Sequence, residues 1–236
     1  MTRKPIPANE RLIFAMDVPD CDRARALADE IGDAVTFYKL GLQLMMSGGY
    51  FELLEWMLAK NKKVFADLKF FDIPATVGSA VRQLKDRGAS FVTVHGNQSI
   101  MEAAAENKGD ELKVLAVTVL TSLDRGDLDD LGFDCDVEAL VVSRARRALE
   151  AGCDGVISSG LEVPMLREQV DNSLVVVTPG IRPVDNKPSA DQKRVVTVET
   201  AFSNGADYIV VGRPIRDAEN PRIAAESMQQ LIATQF

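Results

Sequence analysis

The sequence predicts a single-domain (β/α)8 barrel of the TIM-barrel class, with residues 1–236 forming one domain. Short apolar segments alternate with longer amphipathic segments along the whole chain, which is typical of parallel βαβ units. The length of 236 residues fits one such barrel, because a barrel of this class typically needs about 250 residues. No low-complexity segment or linker interrupts the alternation.

Eight segments rich in β-branched and apolar residues predict the strands. They are Leu12–Val18, Thr36–Leu42, Lys63–Lys69, Phe91–Gly96, Lys113–Leu120, Gly155–Gly160, Ser173–Gly180 and Tyr208–Arg213. Helical periodicity appears between them, for example in Tyr50–Lys60, Ala75–Lys85, Val137–Glu150 and Ile223–Ile232. Eight such units in a chain of this length favour a closed barrel over an open sheet.

Three glycines mark points where a helix ends and an apolar strand follows directly. Gly88, Gly152 and Gly205 each stand three residues before the first residue of such a strand. We expect each to adopt the left-handed conformation that commonly caps the end of a helix.

The charge balance argues against a nucleic-acid partner. The net charge is −8 with a pI near 4.8, and the basic residues are scattered among acidic ones along the helical stretches. Nucleic-acid-binding domains usually show a basic patch or stripe instead. No apolar run approaches the ~20 residues needed to span a bilayer, so the sequence predicts no membrane partner either.

The cysteines indicate a reducing compartment. Cys21, Cys135 and Cys153 are odd in number, widely spaced and form neither a CxxC pair nor a zinc-binding set, so free thiols are expected. The first residues lack the apolar stretch of a signal peptide. We therefore expect a cytoplasmic protein.

Polar side chains interrupt the predicted strands near their carboxyl ends. Seven of these groups belong to six different strands: Asp17, Lys39, Asp67, Lys69, His95, Thr121 and Arg213. In barrels of this class the active site lies at the face where the strands end. Their concentration on that face predicts a functional site.

The spacing in the third strand sharpens this prediction. Asp67 and Lys69 are two residues apart, so both side chains point into the barrel mouth. Buried charges need partners, and Asp67, Lys69 and Lys39 can satisfy one another, with Asp72 adding a further carboxylate. An ion-pair network that only stabilises the barrel is the alternative. For His95 the sequence leaves open whether it contacts a ligand or only lines the pocket.

A phosphate site is predicted around Gly212 and Arg213, after the eighth strand. Many barrels bind phosphate with the loops after strands seven and eight and a short helix N-terminus, and arginine adds bidentate pairing to phosphate oxygens. Arg182 and Gln192 lie in the long seventh loop and can close over the same group. This loop, Ile181–Arg194, and Thr121–Asp136 after the fifth strand are candidate lids or variable insertions.

The sequence resembles the orotidine 5′-phosphate decarboxylase family. The segment from Asp67 to Thr76, DLKFFDIPAT, matches the family motif D-x-K-x-x-D-I-P-x-T. Further matches occur in the family's order over essentially the whole chain, in the segments FAMD, YKLG, VTVLTS, TPGIRP and VGRP, which begin at residues 14, 38, 117, 178 and 211.

This resemblance implies decarboxylation of orotidine 5′-monophosphate (OMP) to UMP without a cofactor or a metal ion. It implies that Asp17 and Lys39 bind the ribose, that Asp67 lies beside the substrate carboxylate and that Lys69 protonates C6. It further implies a homodimer in which Asp72 and Thr76 reach the neighbouring subunit's site. Two further sets of ligands are implied: Thr121 near the pyrimidine, and Arg182, Gln192, Gly212 and Arg213 on the phosphate.

Three other functions deserve comparison. A magnesium-dependent sugar-phosphate decarboxylase or synthase on the same barrel keeps a similar D-x-K pattern but needs a carboxylate where this chain has Lys39, which would repel Mg²⁺. A Schiff-base aldolase can use Lys39 or Lys69. A non-catalytic sensor of nucleotide phosphates predicts tight UMP binding without turnover.

Overall fold

The computed structural model describes residues 4–182 and 194–236 and shows eight parallel strands closed into a barrel in sequence order. The predicted (β/α)8 fold class is therefore confirmed. The strands are β1 (Leu12–Ala15), β2 (Phe37–Gly41), β3 (Lys63–Phe70), β4 (Phe91–Val94), β5 (Lys113–Val117), β6 (Gly155–Ile157), β7 (Val175–Thr178) and β8 (Tyr208–Val211).

Eleven helices occur in the described part of the chain, and most of them follow a strand. They are α1 (Cys21–Ile31), α2 (Leu42–Met46), α3 (Tyr50–Ala59), α4 (Pro74–Lys85), α5 (Gln98–Asn107), α6 (Arg125–Asp130), α7 (Val137–Glu150), α8 (Val163–Gln169), α9 (Val198–Ser203), α10 (Arg213–Arg216) and α11 (Pro221–Ala233). Short 3₁₀ turns occur at Ala8–Glu10 and Gly32–Ala34. None of these helices has the length and apolar character needed to cross a membrane.

Most strands are shorter than predicted at their carboxyl ends. The segment predicted as Gly155–Gly160, for example, keeps ladder pairing only to Ile157. Beyond that point the chain turns into a loop, although its residues remain buried. The predicted loop Thr121–Asp136 contains α6, which begins at an Asp124–Asp127 capping box. Apolar composition therefore located the strands better than it located their ends.

The barrel interior is filled by alternate strand residues. They form one buried cluster of Ile13, Ala15, Phe37, Phe65, Phe91, Leu115, Val175, Val177, Tyr208 and Val210. The Phe91 ring centroid lies 4.9 Å from that of Phe37 and 5.2 Å from that of Tyr208. Because these three residues begin β4, β2 and β8, their rings fill the N-terminal end of the barrel. The intervening strand residues, such as Phe14 and Tyr38, belong to a second cluster shared with the helices.

The three glycines expected to cap helices have positive φ values. Gly88, Gly152 and Gly205 have φ angles of 79°, 80° and 101°. Each lies just after a helix and just before a strand, where the left-handed conformation redirects the chain. These turns return the chain to the N-terminal end of the barrel and leave the carboxyl ends to the longer loops.

We expect Gly155→Ala to destabilise the barrel. An added Cβ would overlap the carbonyl oxygen of Val175 and lie 2.9 Å from Leu115 Cδ2, so neighbouring backbone must move at a cost of about 1–3 kcal/mol. Urea unfolding measures the loss. Gly126→Ala is the matched control, because its Cβ faces solvent and approaches only the Asp124 carboxylate, at 3.3 Å. Equal stability of the two variants would contradict the predicted crowding.

Candidate active site

The polar site begins where inward-facing strand positions change from apolar to charged residues. In β2 the buried Phe37 is followed two positions later by Lys39, and in β3 Phe65 is followed by Asp67. Side chains two residues apart on a strand share a face. The charged groups therefore stand directly above the apolar interior, at the carboxyl end of the barrel.

Lys39, Asp67 and Lys69 form a connected ion-pair array with Asp17. Lys39 Nζ lies 3.0 Å from Asp17 Oδ1 and 3.4 Å from Asp67 Oδ2. Lys69 Nζ lies 2.8 Å from Asp67 Oδ1. The side chains of Lys39 and Asp67 are each 12% exposed, whereas that of Lys69 is 31% exposed. Asp67 is thus held between two ammonium groups, of which that of Lys69 is the more exposed.

The backbone at Lys69 adopts an unusual conformation. Its φ angle is 47°, in the left-handed region that lysine seldom occupies, and the β3–β4 register shifts between Ala66 and Phe70. The Lys69 N–H donates to Thr93 Oγ1 at 2.9 Å, and the Thr93 hydroxyl donates to Asp67 Oδ1 at 2.9 Å. Such backbone strain persists only where the surroundings enforce it and clusters at functional sites. Thr93 therefore orients both charged residues.

Lys39 and Asp67, the two most buried members of the array, stabilise each other's charged forms. Burial disfavours the charged form of Asp67, but the ammonium groups of Lys39 and Lys69 outweigh it and hold the pKa of this carboxyl below its usual value. Burial acts against the Lys39 ammonium in the same way, yet Asp67 and Asp17 raise its pKa. Asp67 is consequently an anion and Lys39 a cation at neutral pH.

We expect acidification to remove the stabilising contribution of Asp67. Because its folded pKa lies below the ordinary value of 3.8, the contribution is present above that value and is lost as the pH falls through the lower folded pKa. Asp67→Asn should therefore lower the free energy of unfolding at neutral pH, and its difference from wild type should shrink below about pH 4. Urea denaturation at several pH values tests this, and a difference that does not change with pH would contradict it.

A cavity of about 500 Å³ opens above the array. Eight residues singled out from the sequence line it: Asp17, Lys39, Asp67, Lys69, Thr121, Arg182, Gly212 and Arg213. Arg182 lies beyond β7, which is four strands away from β3 in the closed ring and so lies opposite it. Arg213 begins the short helix α10 directly after β8. The cavity therefore has the lysine–aspartate array at the ends of β1 to β3 and guanidinium groups after β7 and β8.

Three of the sequence-predicted site residues are not placed in this cavity. Asp72 and Thr76 are exposed at the start of α4 and do not line it. The Asp72 carboxylate accepts a hydrogen bond from the N–H of Ile73 at 2.6 Å. Gln192 lies outside the residues that the structure describes.

His95 stands beside the cavity without lining it. Its ring packs edge-on against Phe71, with the centroids 5.8 Å apart. Burial lowers the pKa of His95, and the nearby charges of Arg144 and Lys69 lower it further, so a neutral imidazole is favoured at pH 7. This placement agrees better with a packing role than with direct ligand contact.

Three site residues were not singled out from the sequence. Thr93 faces inward two positions after Phe91, so strand alternation was a usable signal for it. Ser158 is buried and lines the cavity just after β6, but a single serine carries no distinctive pattern. Arg216 lines the cavity from α10, and its Nη1 donates to the Asp17 carbonyl at 2.8 Å.

Lys39 occupies the place where a metal ion would need carboxylates. Its ammonium group lies between Asp17 and Asp67 and already balances their negative charge. Within residues 4–182 and 194–236, no group of three or more His, Cys, Asp or Glu side chains is arranged to hold a metal ion. The charges available to a ligand here come from lysine, arginine and aspartate side chains.

Comparison with known proteins shows the family to which this chain is similar. The model of the orotidine 5′-phosphate decarboxylase/HUMPS family matches residues 10–228. A curated orotidine 5′-phosphate decarboxylase from Methylococcus capsulatus is 65% identical over 236 residues, covering 100% of this chain and 97% of the relative. One from Stenotrophomonas maltophilia is 47% identical over 237 residues, covering 99% and 98%.

Solved structures show the same likeness. The crystal structure of orotidine 5′-phosphate decarboxylase from Lactobacillus acidophilus superimposes with a TM-score of 0.83 at 31% sequence identity. The match covers 94% of this chain and 99% of that one. The corresponding structure from Pyrococcus horikoshii gives a TM-score of 0.75 at 25% identity, covering 94% and 99%.

Proposed function

This chain belongs to the orotidine 5′-phosphate decarboxylase/HUMPS family, and we propose that it decarboxylates OMP without a cofactor or a metal ion, using Lys69 as the group that acts at C6. The enzyme is a carboxy-lyase that forms UMP and CO₂ in the last step of de novo pyrimidine nucleotide synthesis. The observation that carries the proposed mechanism is the Lys69 ammonium, fixed 2.8 Å from Asp67 and open to the cavity.

The chemistry demands direct stabilisation of negative charge. Loss of CO₂ from C6 leaves an electron pair in an orbital that lies in the plane of the pyrimidine ring, where the ring π-system cannot absorb it. An ammonium group held beside C6 interacts more strongly as charge moves onto that carbon, so it stabilises the transition state more than the substrate. The bond from C6 to the carboxyl carbon breaks, its electron pair stays on C6, and Lys69 then transfers a proton to form UMP.

Asp67 has two roles in this proposal. Its carboxylate fixes Lys69 Nζ through Oδ1 and Lys39 Nζ through Oδ2. It also stands near the position assigned to the substrate carboxylate, and departure of CO₂ relieves that like-charge repulsion. We assign this ground-state effect a secondary role, because the ammonium acts directly on the developing charge.

The part of the cavity after β7 and β8 is assigned to the phosphate. Arg182 and Arg213 offer planar guanidinium groups suited to phosphate oxygens, and Gly212 lines the cavity beside Arg213. Asp17 and Lys39 are assigned to the ribose, and Thr121 to the pyrimidine. Gln192 is proposed as a further phosphate ligand, although it lies outside the described residues.

We further propose a homodimer in which each subunit completes the other's site. Asp72 and Thr76 belong to the family motif but are exposed and outside their own cavity. Phe71 and Ile73, which flank Asp72, are 69% and 65% exposed. Adjacent apolar side chains exposed to this extent are typical of a protein interface. A second copy would bury them and bring Asp72 to the neighbouring array.

A cytoplasmic location is also proposed. All three cysteines are free thiols, with Cys21 and Cys153 buried, and burial raises the pKa of the Cys153 thiol to about 12. Free cysteines are the usual state in a reducing compartment, and nucleotide synthesis takes place there.

The test of this function is to add OMP to EDTA-treated protein and follow its conversion to UMP by absorbance. We expect sustained turnover. Activity that requires added Mg²⁺ would favour the metal-dependent relatives, and UMP binding without turnover would favour a sensor. Borohydride treatment with substrate should leave every lysine unlabelled, because a trapped adduct would indicate Schiff-base chemistry.

A further inference from the structure

A buried ion pair lies at the end of the seventh loop, close to the cavity. Arg194 Nη1 is 2.6 Å from Glu162 Oε1, and their side chains are 13% and 5% exposed. The second terminal nitrogen, Nη2, donates to the carbonyl of Val119 at 3.2 Å and to that of Leu120 at 2.9 Å. One guanidinium thus joins the loop after β7 to the segments after β5 and β6.

Each partner of Arg194 is adjacent to the cavity. Leu120 lines it and directly precedes Thr121, which is assigned to the pyrimidine. The second carboxylate oxygen of Glu162 accepts from the Ser158 hydroxyl at 3.4 Å, and Ser158 lines the cavity after β6. Movement of the guanidinium would therefore move the surface that meets the base.

Arg194 is also tied to the phosphate side. Two residues after it, the Val196 N–H donates to the Gly180 carbonyl at 3.1 Å, and the Val196 carbonyl accepts from the Arg182 N–H at 3.0 Å. These bonds form a short bridge between Ile181 and Val196. The backbone that carries Arg182 is consequently fixed to the backbone that carries Arg194.

We infer that Glu162 and Arg194 are positioning residues that couple the phosphate end of the active site to its pyrimidine end. The inference rests on the proposed function, since it takes Arg182 and Thr121 as ligands for these two ends. Isolated buried ion pairs contribute little net stability. This one links three loops that the strand ladder leaves free, so its main effect is on their relative positions.

The chain offers a control in a second buried ion pair, whose carboxylate also accepts from Lys4 Nζ at 2.9 Å. Arg167 Nη2 lies 2.7 Å from Asp207 Oδ2, and the side chains are 2% and 7% exposed. This pair binds the Leu174 carbonyl and the Val176 N–H, near the start of β7 and away from the cavity. Arg167→Gln and Arg194→Gln therefore make the same chemical change at the two opposite ends of the barrel.

The experiment compares these variants in kcat/KM for OMP and in dissociation constant for UMP. We expect Arg194→Gln to lower kcat/KM about 10- to 100-fold, because small displacements of ligand-positioning groups have effects of that size. Arg167→Gln should stay within about threefold of wild type at a temperature where both are folded. Arg194→Lys, which keeps the charge but not the three contacts, should fall between Arg194→Gln and wild type.

A double-mutant cycle provides a readout that a purely structural role would not change. The dissociation constant for UMP is measured for Thr121→Ala, Arg182→Ala and the double variant, each with Arg194 intact and with Arg194→Gln. With Arg194 intact, the effect of the double variant should differ from the product of the two single effects by about threefold or more. With Arg194→Gln, the two effects should be additive in free energy. An unchanged cycle, or an Arg194→Gln variant as active as Arg167→Gln, would overturn the inference. If Arg194→Gln does not fold, Arg194→Lys serves as the background. Wild-type protein that binds UMP but does not convert OMP would count against the proposed function alone, because the cycle needs no turnover.

Discussion

Lys69→Ala is expected to abolish decarboxylation while the barrel stays folded. In the proposed mechanism the change removes both the charge beside C6 and the proton donor, and each effect alone is typically worth at least about 100-fold in rate. We therefore expect kcat to fall by 10⁴-fold or more, on the order of the product of the two. Substantial remaining turnover would remove Lys69 as the proton donor.

The fold should tolerate this change for reasons visible in the array. Asp67 keeps its ion pair with Lys39 at 3.4 Å and its hydrogen bond from Thr93 at 2.9 Å, so the carboxylate is not left unpaired. Alanine is as strained as lysine at a φ angle of 47°, so the backbone penalty is unchanged. Circular dichroism and UMP binding should confirm the native fold.

Lys63→Ala is the matched control for the loss of a lysine from the same strand. Lys63 begins β3 at the opposite end of the barrel, where its Nζ pairs with Glu10 at 2.6 Å. Both side chains are partly exposed there, so this surface pair contributes at most about 1 kcal/mol. Activity should stay near the wild-type level, which ties the loss in Lys69→Ala to the site.

Mixing Asp72→Asn with Lys69→Ala subunits is expected to restore activity that neither variant has alone. In a mixed dimer, the Asp72→Asn subunit keeps its own Lys69 and receives an intact Asp72 from its partner, so one of the two sites is complete. Random pairing of equal amounts makes half of the dimers mixed, so about one quarter of wild-type activity should appear. Neither homodimer has a complete site.

Differently tagged subunits allow the mixed dimers to be isolated before the assay. Purified mixed dimers should then show about half of wild-type activity, since one of two equivalent sites works. A second mixture, of Asp72→Asn with Asp72→Asn,Lys69→Ala subunits, should stay inactive, because it contains no intact Asp72. Mixed dimers that form and yet remain inactive would contradict the shared site.

The charged centre could be predicted from the sequence because its residues stand near the carboxyl ends of predicted strands. Lys39, Asp67 and Lys69 could be placed in one mouth from their strand positions, and the structure brings both ammonium groups within 3.4 Å of the Asp67 carboxylate. Features that depend on tertiary packing could not be predicted from the sequence. The left-handed backbone at Lys69 coincides with the shifted β3–β4 register. The Glu162–Arg194 pair joins residues 32 positions apart.

Strand ends were the other weak point of the sequence prediction. The residues of the predicted Ser173–Gly180 strand are almost all apolar or small, but only Val175–Thr178 are a strand. The hydrophobic pattern reports burial, and loop residues such as Ile181 are as buried as the strand itself. Burial alone therefore cannot mark where ladder hydrogen bonding stops.

The ring cluster of Phe37, Phe91 and Tyr208 has a consequence for the traffic of small molecules. These aromatic side chains fill the barrel beneath the array, so the proposed function places the reacting carbon at the closed base of the cavity. In that arrangement, CO₂ released at C6 must pass the bound nucleotide to reach bulk water. The escape of CO₂ therefore depends on how closely the nucleotide fills the cavity. Until Lys69 donates its proton, return of CO₂ to the C6 carbanion competes with that escape.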